Sequence, residues 1–407
     1  MTEVLAKAAR AEARRADRAR STGKSPSDLA GVPVVVKDII DTTPAVCSAG
    51  LSFLGDYRPT SDATVVRRLR RSGAAIVGVS ATDPGAFGVR TDKVTHPQAP
   101  GHTVGGSSGG SGAALAAGFG FAALGTDTGG SIRIPAACCQ IAGLKPTLGR
   151  ISTKGIRPLV WSLDHVGPMT RKARDLVTVA RVLDPRFDRG ARPPARRRLL
   201  IGHAPGYSAD ADPEVREGLA RALEASRALG QEIVEVALPD PDETLDVHGK
   251  IFCAEAAAYH FATFPGRLED YVGTARQLLE LAKEHKGYEY VSAARQRGEF
   301  RRQVQELFTH IDFLIVPTLP VPPPRVDAPS VVVGGIERDF TLALVRYTAL
   351  FDHTGNPVVS LPVTVLSPGI GTSVQIVGPH HRDADVVALA ARLERMLDLS
   401  IDFSIRT

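Results

Sequence analysis

The sequence has few cysteines, few aromatic residues and no long hydrophobic run, and each shortage excludes a class of protein. Only four cysteines occur in 407 residues, and the spacing of Cys47, Cys138, Cys139 and Cys253 fits neither a zinc site nor a small disulfide framework. Free thiols in a reducing cytoplasm explain them most simply, so we expect a cytoplasmic protein. No run of about 18 apolar residues occurs and no apolar segment of about 15 residues opens the chain, which predicts neither a membrane span nor a secretory signal.

The charge balance gives no indication of a nucleic-acid partner. Lysine and arginine total 49 against 44 aspartate and glutamate, a net charge of +5, and only 5% of the residues are aromatic. Nucleic-acid binders more often concentrate basic residues and aromatics on one face. The basic clusters at 7–20 and 192–198 are typical of solvated surface. We therefore expect neither a nucleic acid nor a membrane as partner.

Alternating helical and extended patterns predict an α/β architecture. Predicted helices cover 3–20, 61–72 with Ser61 as N-cap, 171–183, 213–229, 243–264, 288–310, 339–351 and 384–397. Predicted strands cover 31–36, 74–79, 199–201, 233–238, 313–316, 356–365 and 371–377, and loops are expected at 153–166 and 317–324. The stretch 185–198 has the composition of a linker and would join two halves, 1–184 and 199–407, of one domain.

Two glycine-serine clusters, at 105–112 and 126–131, are the most unusual feature of the sequence. Packable segments separate them, which a flexible linker would not require, and such dense glycine allows the backbone to approach a ligand closely. Neither cluster is followed by the lysine of a Walker phosphate loop, and neither fits a dinucleotide fingerprint. The clusters therefore indicate a site, but not one for nucleotides.

Two kinds of serine chemistry fit these clusters. Residues 106–110 satisfy G-x-S-x-G with Ser108 as nucleophile, and His353, His380 and His381 follow late enough to complete a hydrolase triad, although no strand precedes the motif. Alternatively, a lysine could act as the base. Lys37 ends a run of valines, where an unpartnered ammonium would be costly, so it is expected to be either paired or neutral.

Four segments together resemble the amidase signature family. They are GGSSGGS from residue 105 and GTDTGGSIRIPAA from residue 125, followed by GLKPT at 143–147, with GVPVVVKD upstream at 31–38. SLDHVGP at 162–168 and GNPVVSLP at 355–362 match further family patterns. The resemblance covers almost the whole chain, and it implies a single α/β domain whose mixed central sheet carries helices on both faces.

By position, the resemblance implies that Ser131 is the nucleophile, Ser107 the bridging serine and Lys37 the base. It also implies a cis peptide bond next to Ser107. Backbone N–H groups of Thr128, Gly129, Gly130 and Ser131 would form the oxyanion hole.

Five other residues matched by the pattern are expected to support the fold. Asp127 and Arg133 are expected to hold the loop through a buried polar network. Cys139 is expected in the core, and Ser108 and Ser111 are expected to bond the backbone at a helix start.

The resemblance implies hydrolysis of a small carboxylic amide to an acid and ammonia or an amine, with no metal and no cofactor. An amidase-like subunit of a tRNA-dependent amidotransferase is the alternative within the family. The short tail after Pro362 argues against it. So does the position of the alanine-rich segment at residues 3–20, because members of the family usually have several helices before this segment. An inactive scaffold is the alternative from another class, and the complete set of Lys37, Ser107 and Ser131 argues against it. A homodimer stays open.

The chain departs from the family pattern at two places. Cys138-Cys139-Gln140 stands where an aromatic residue, a cysteine and a glycine are usual, and His96-Pro97 replaces an Asn-Pro. Neither departure affects the three candidate catalytic residues.

Overall fold

A computed structural model describes residues 1–24, 27–190 and 198–405. Within these residues the helices are α1 (Ala6–Ser21), α2 (Thr64–Arg71), α3 (Gly109–Ala116), α4 (Arg133–Cys138), α5 (Leu176–Leu183), α6 (Pro213–Ala228), α7 (Pro241–Thr263), α8 (Gly273–Leu281), α9 (Gly287–Leu307), α10 (Phe340–Val345), α11 (Ala349–Thr354) and α12 (Asp383–Leu397). The strands are β1 (Glu3–Val4), β2 (Pro33–Lys37), β3 (Ala75–Ser80), β4 (Ala122–Asp127), β5 (Ala142–Lys145), β6 (His165–Thr170), β7 (Leu200–His203), β8 (Glu232–Glu235), β9 (Phe313–Pro317), β10 (Ser330–Val333), β11 (Ile336–Asp339), β12 (Val358–Pro362) and β13 (Ser373–Val377).

One mixed sheet of 11 strands runs through the molecule in the order β1-β3-β2-β4-β6-β5-β12-β13-β9-β7-β8, and β10 and β11 form a separate hairpin. The neighbours β3, β2 and β4 are parallel, as are β9, β7 and β8, whereas the strands from β4 through to β9 are joined by antiparallel pairs. The predicted α/β fold with a mixed sheet is confirmed.

Helices cover both faces of this sheet, and β2 shows how the alternation of a strand directs its side chains. Val34 and Val36 pack into a core with α2, whereas Val35 points the other way and packs with α3. Successive strand residues face opposite sides, so a strand with two covered faces is apolar throughout. The unbroken valine run of β2 therefore follows from its central position.

The same division holds in the second half of the sheet. In β9, Leu314 and Val316 pack with α9 through Phe300, whereas Ile315 packs with α6 and α12 on the opposite face. All five residues of β9 are buried.

Several predicted boundaries are wrong. The helix predicted at 61–72 begins only at Thr64, and its N-cap is Ala63 rather than Ser61. The segment predicted as helix 339–351 contains two short helices, α10 and α11, the first capped by the Asp339 carboxylate. The loop predicted for 153–166 ends two residues early because β6 begins at His165.

Several elements had no counterpart among the predicted helices and strands: β4, β5, β6 beyond residue 166, the helices α4 and α8, and the β10–β11 hairpin. Strand β1 lies at the start of the predicted helix 3–20, which begins only at Ala6. Of the predicted linker 185–198, residues 191–197 lie outside the described part of the chain, and the division into two halves stays a prediction. No helix in the described ranges is long and apolar enough to cross a membrane.

Candidate active site

The site lies where β2 and β4, two adjacent parallel strands, end at the same edge of the sheet. Lys37 is the last residue of β2, and the second glycine-serine cluster begins at the end of β4. Ligands of open α/β sheets commonly bind outside the carboxyl ends of the strands. The first cluster reaches the same edge because it leads into α3, which packs on β2 and β4.

The Lys37 side chain is fully buried and contacts two hydroxyl groups. Its Nζ lies 2.7 Å from Ser107 Oγ and 2.8 Å from Thr126 Oγ1. Burial lowers the pKa of Lys37 to about 7, although the carboxylates of Asp83, Asp127 and Asp164 act in the opposite direction. A neutral amine can donate one N–H to Thr126 and keep its lone pair for the proton of Ser107, so the geometry suits a base.

Two features of the backbone at Ser107 fix the position of this residue. The peptide bond between Gly106 and Ser107 is cis, and the Ser107 carbonyl accepts a hydrogen bond of 2.9 Å from Thr82 Oγ1. Asp83 packs against Gly106. A Cβ at position 106 would lie 2.4 Å from the Oδ2 atom of Asp83, so the loop requires glycine at this position. Asp83 in turn accepts hydrogen bonds from the backbone and hydroxyl of Thr91.

Ser131 lies at the surface of a cleft of about 510 Å³, which Thr128 and Gly129 also line. The residue is 8% exposed. Its carbonyl accepts from the Ser108 N–H at 3.3 Å, which fixes the two glycine-serine clusters side by side. The structure thus brings Lys37 and Ser107 into contact and places Ser131 on the adjoining loop.

Two hydrogen bonds and one glycine shape the loop from Thr128 to Ser131. The Thr128 hydroxyl donates to Asp164 at 2.7 Å, and the Gly129 carbonyl accepts from the Thr348 hydroxyl. Gly130 has φ +136°, where a Cβ would lie 2.3 Å from Thr348 Oγ1. Only glycine suits that backbone, and the absence of side chains leaves the loop open to the cleft.

Asp127 and Arg133 fix the ends of this loop from beneath. Both are completely buried, and the guanidinium makes two hydrogen bonds to the carboxylate, of 3.0 and 2.8 Å. Asp127 also accepts from the Ile132 backbone, and Arg133 reaches Asp352 at 2.6 Å and Gln375 at 2.7 Å. Although burial alone would raise it, the pKa of Asp127 is held below its usual range by Arg133.

The hydroxyls of Ser108 and Ser111 do not bond the backbone at the start of α3, contrary to the prediction. The Ser108 hydroxyl bonds both the N–H and the carbonyl of Thr126, and Ser111 donates to the carbonyl of Leu124. Both serines tie α3 to β4 instead. Because Ser108 is fully buried and bonds no histidine in the described part of the chain, the alternative that makes it a triad nucleophile does not fit.

Four residues of the site, Thr126, Asp83, Asp164 and His248, were not predicted from the sequence. Thr126 contacts Lys37, Asp83 packs against Gly106, Asp164 accepts from Thr128, and His248 lines the cleft. Asp164 lies inside the SLDHVGP motif and accepts from the backbone of Leu159 and Val160 as well as from Thr128, so the motif was its signal. Thr126 belongs to the second cluster, but the chain gives no sign that it contacts Lys37.

Comparisons with known proteins identify relatives of the whole chain. A family model described as Amidase matches residues 1–387. An amidase of Pseudomonas putida is 37% identical over 383 residues, covering 90% of this chain and 82% of the relative. A glutamyl-tRNA(Gln) amidotransferase subunit of Koribacter versatilis is 30% identical, covering 95% of this chain and 88% of the relative. The crystal structure of an amidase superposes with a TM-score of 0.87 and 31% identity, covering 97% of this chain and 91% of the other.

Proposed function

Because the chain belongs to the amidase family, we propose that it hydrolyses a small carboxylic amide through an acyl-enzyme. The observation that carries the proposal is the contact of 2.7 Å between Ser107 Oγ and the buried Lys37, whose pKa is lowered to about 7. Near that pH a large part of the lysine is neutral and can take a proton.

In the proposed reaction the Ser131 hydroxyl attacks the amide carbonyl while its proton passes to Ser107, and the proton of Ser107 passes to Lys37. The N–H groups of residues 128–131 stabilise the oxyanion of the tetrahedral intermediate. Protonated Lys37 then returns a proton through Ser107 to the leaving nitrogen, so the C–N bond breaks and ammonia or an amine departs. Water attacks the ester in a second cycle of the same transfers and releases the acid. Every proton taken from a nucleophile is thus returned to a leaving group, and the proposal needs neither metal nor cofactor.

The decisive test is ammonia release from a panel of amides, including linear aliphatic, aromatic, dicarboxylic and cyclic ones. We expect turnover by the wild type and none by Ser131→Ala, which should keep the wild-type circular dichroism spectrum. Ser152→Ala, a serine outside the cleft, is the matched control and should retain activity. Appreciable turnover by Ser131→Ala would refute the nucleophile assignment, and inhibition by a chelator would contradict the metal-free mechanism.

The relationship to an amidotransferase subunit supports a second candidate, a chain that works with partner subunits. In that case the isolated chain would hydrolyse small amides poorly, and ammonia release would rise when partner subunits and charged tRNA were added. Efficient hydrolysis by the chain alone would favour the first proposal. A homodimer and a cytoplasmic location remain predictions, the latter supported by four cysteines that are all free thiols.

A further inference from the structure

The His248 imidazole, from α7, is a polar group that lies beside Gly129 of the second glycine-serine cluster. A Cβ at Gly129 would lie only 2.8 Å from its Nε2, and the side chain lines the same cleft as Ser131. Among the described residues, the ring makes one hydrogen bond, which joins its Nδ1 to Nε2 of His353 at 3.2 Å. The Nε2 atom is therefore left for a ligand in the cleft.

The hydrogen bonding of His353 determines where His248 carries its proton. His353 is fully buried, and its Nδ1 has no hydrogen-bond partner in the described ranges. A buried N–H without an acceptor is rarer and less favourable than an unpaired lone pair, so Nδ1 carries the lone pair. The proton of His353 is then on Nε2 and is donated to His248 Nδ1. Because Nδ1 of His248 accepts, its own proton lies on Nε2 and points toward the cleft.

Both rings are neutral near pH 7. Burial lowers the pKa of His248 to about 4, and burial together with the neighbouring His248 lowers that of His353 well below its usual range. Arg301, whose Nε donates to the His353 carbonyl at 2.8 Å, adds a positive charge that disfavours protonation further. The pair thus presents one uncharged N–H donor beside Gly129.

The His248 ring packs against Phe252, with ring centroids 5.6 Å apart. The cleft is lined by apolar side chains, among them Phe87, Leu159 and Leu245, and also by the charged side chains of Asp246, Lys250, Glu289 and Asp339. A buried donor in a binding cleft contributes to orientation and specificity, because a substrate that lacks the matching acceptor leaves the donor unpaired.

We propose that His248 is a specificity-determining residue, and that its Nε2–H donates a hydrogen bond to a second, uncharged acceptor oxygen close to the scissile carbonyl. His353 is the positioning residue that sets the tautomer. The preferred substrates are therefore amides that carry an ether, keto or second amide oxygen close to the scissile carbonyl. This inference rests on the proposed function, because it concerns the same cleft.

The test compares matched amides that differ only in replacing CH₂ by an ether oxygen, such as pentanamide against 2-, 3- and 4-oxa analogues. We expect the wild type to prefer one oxa analogue about tenfold in kcat/KM, the value of one hydrogen bond. His248→Leu should abolish that preference, and His248→Gln, which keeps an N–H donor, should restore part of it. A preference ratio that is equal in the wild type and in His248→Leu would overturn the proposal.

A second measurement does not depend on turnover. The ¹⁵N chemical shifts of His248 in the full-length chain distinguish a proton on Nε2 from one on Nδ1. We expect Nε2–H in the wild type, a mixture in His353→Phe, and a shift of the Nε2–H signal when the preferred oxa analogue is added to Ser131→Ala. A proton on Nδ1 in the wild type would overturn the inference. A wild type that hydrolyses no amide would count against the proposed function alone, and the NMR titration would then still decide the role of His248.

Discussion

Arg133 and Asp127 form a bidentate ion pair in which neither side chain is exposed to solvent. The pair lies directly beneath the loop that carries Ser131, and its second carboxylate partner, Asp352, comes from a helix more than 200 residues away in the chain. Because Asp127 also bonds the backbone of Ile132 and Arg133, the ion pair sets the position of the loop end. Its removal therefore tests stability and loop geometry together.

Replacing Arg133 by methionine should lower the free energy of unfolding by about 3–5 kcal/mol, since the buried Asp127 carboxylate loses its cation. Urea unfolding measures the change. The matched control is Arg181→Met, because Arg181 pairs with Asp188 on the surface, where the side chains are 58% and 55% exposed. That variant should change the free energy of unfolding by less than about 1 kcal/mol. Equal effects in the two variants would show that the buried network does not hold the loop.

Substitution of Gly130 tests whether the loop from Thr128 to Ser131 stabilises the oxyanion. The φ of +136° at Gly130 and the clash of 2.3 Å that a Cβ would make with Thr348 Oγ1 mean that alanine must displace the loop. Losing one oxyanion donor costs about 10²–10³ in kcat, so we expect Gly130→Ala to lose at least that much against the best amide of the panel.

The control for this substitution is Gly298→Ala in α9, where a Cβ would meet nothing within 4 Å. It should leave kcat unchanged and, by helix propensity, stabilise the fold by about 0.5–1 kcal/mol. Wild-type kcat in Gly130→Ala would exclude the loop as the oxyanion site.

The sequence allowed the architecture to be predicted where one pattern dominates. The valine run of β2 and the amphipathic helices α6 and α12 were predicted because packing agrees with local propensity there. Strand β6 was not, because its sequence HVGPMT contains glycine and proline, which argue against a central strand. It forms nevertheless, because β4 and β5 pair with it on both sides and all six of its residues are buried. Tertiary pairing overrides propensity at such a position.

Local sequence patterns also do not show how the residues of the site come together. The motifs identified Lys37, Ser107 and Ser131, but no local pattern shows that Lys37 and Ser107, 70 residues apart, are in contact. That contact depends on the parallel pairing of β2 with β4 and on the packing of α3 against both strands. His248 carried no signal at all, since a lone histidine in a helix is usually a core or surface residue. Its importance follows only from where α7 places it relative to Gly129 and His353.

The pKa of Lys37 makes a prediction for stability as a function of pH. In the folded chain this pKa is about 7, whereas an exposed lysine has 10.5. Between these two values the unfolded chain holds a proton that the folded chain lacks, so the contribution of Lys37 to stability rises with pH. Below pH 7 both states are protonated, and the full cost of burying the ammonium is present.

Lys37→Met should therefore be most favourable relative to wild type at low pH. The difference in the free energy of unfolding, variant minus wild type, should fall by about 2–3 kcal/mol between pH 6 and pH 9, because one proton titrates over that range. Urea unfolding of both proteins at each pH measures it, and taking the difference cancels the other titrating groups. Lys154→Met, which removes an exposed lysine, is the control for the substitution of lysine by methionine. A difference for Lys37→Met that stays constant or grows with pH would mean that Lys37 is charged in the folded chain, and the proton transfer from Ser107 would then lose its base.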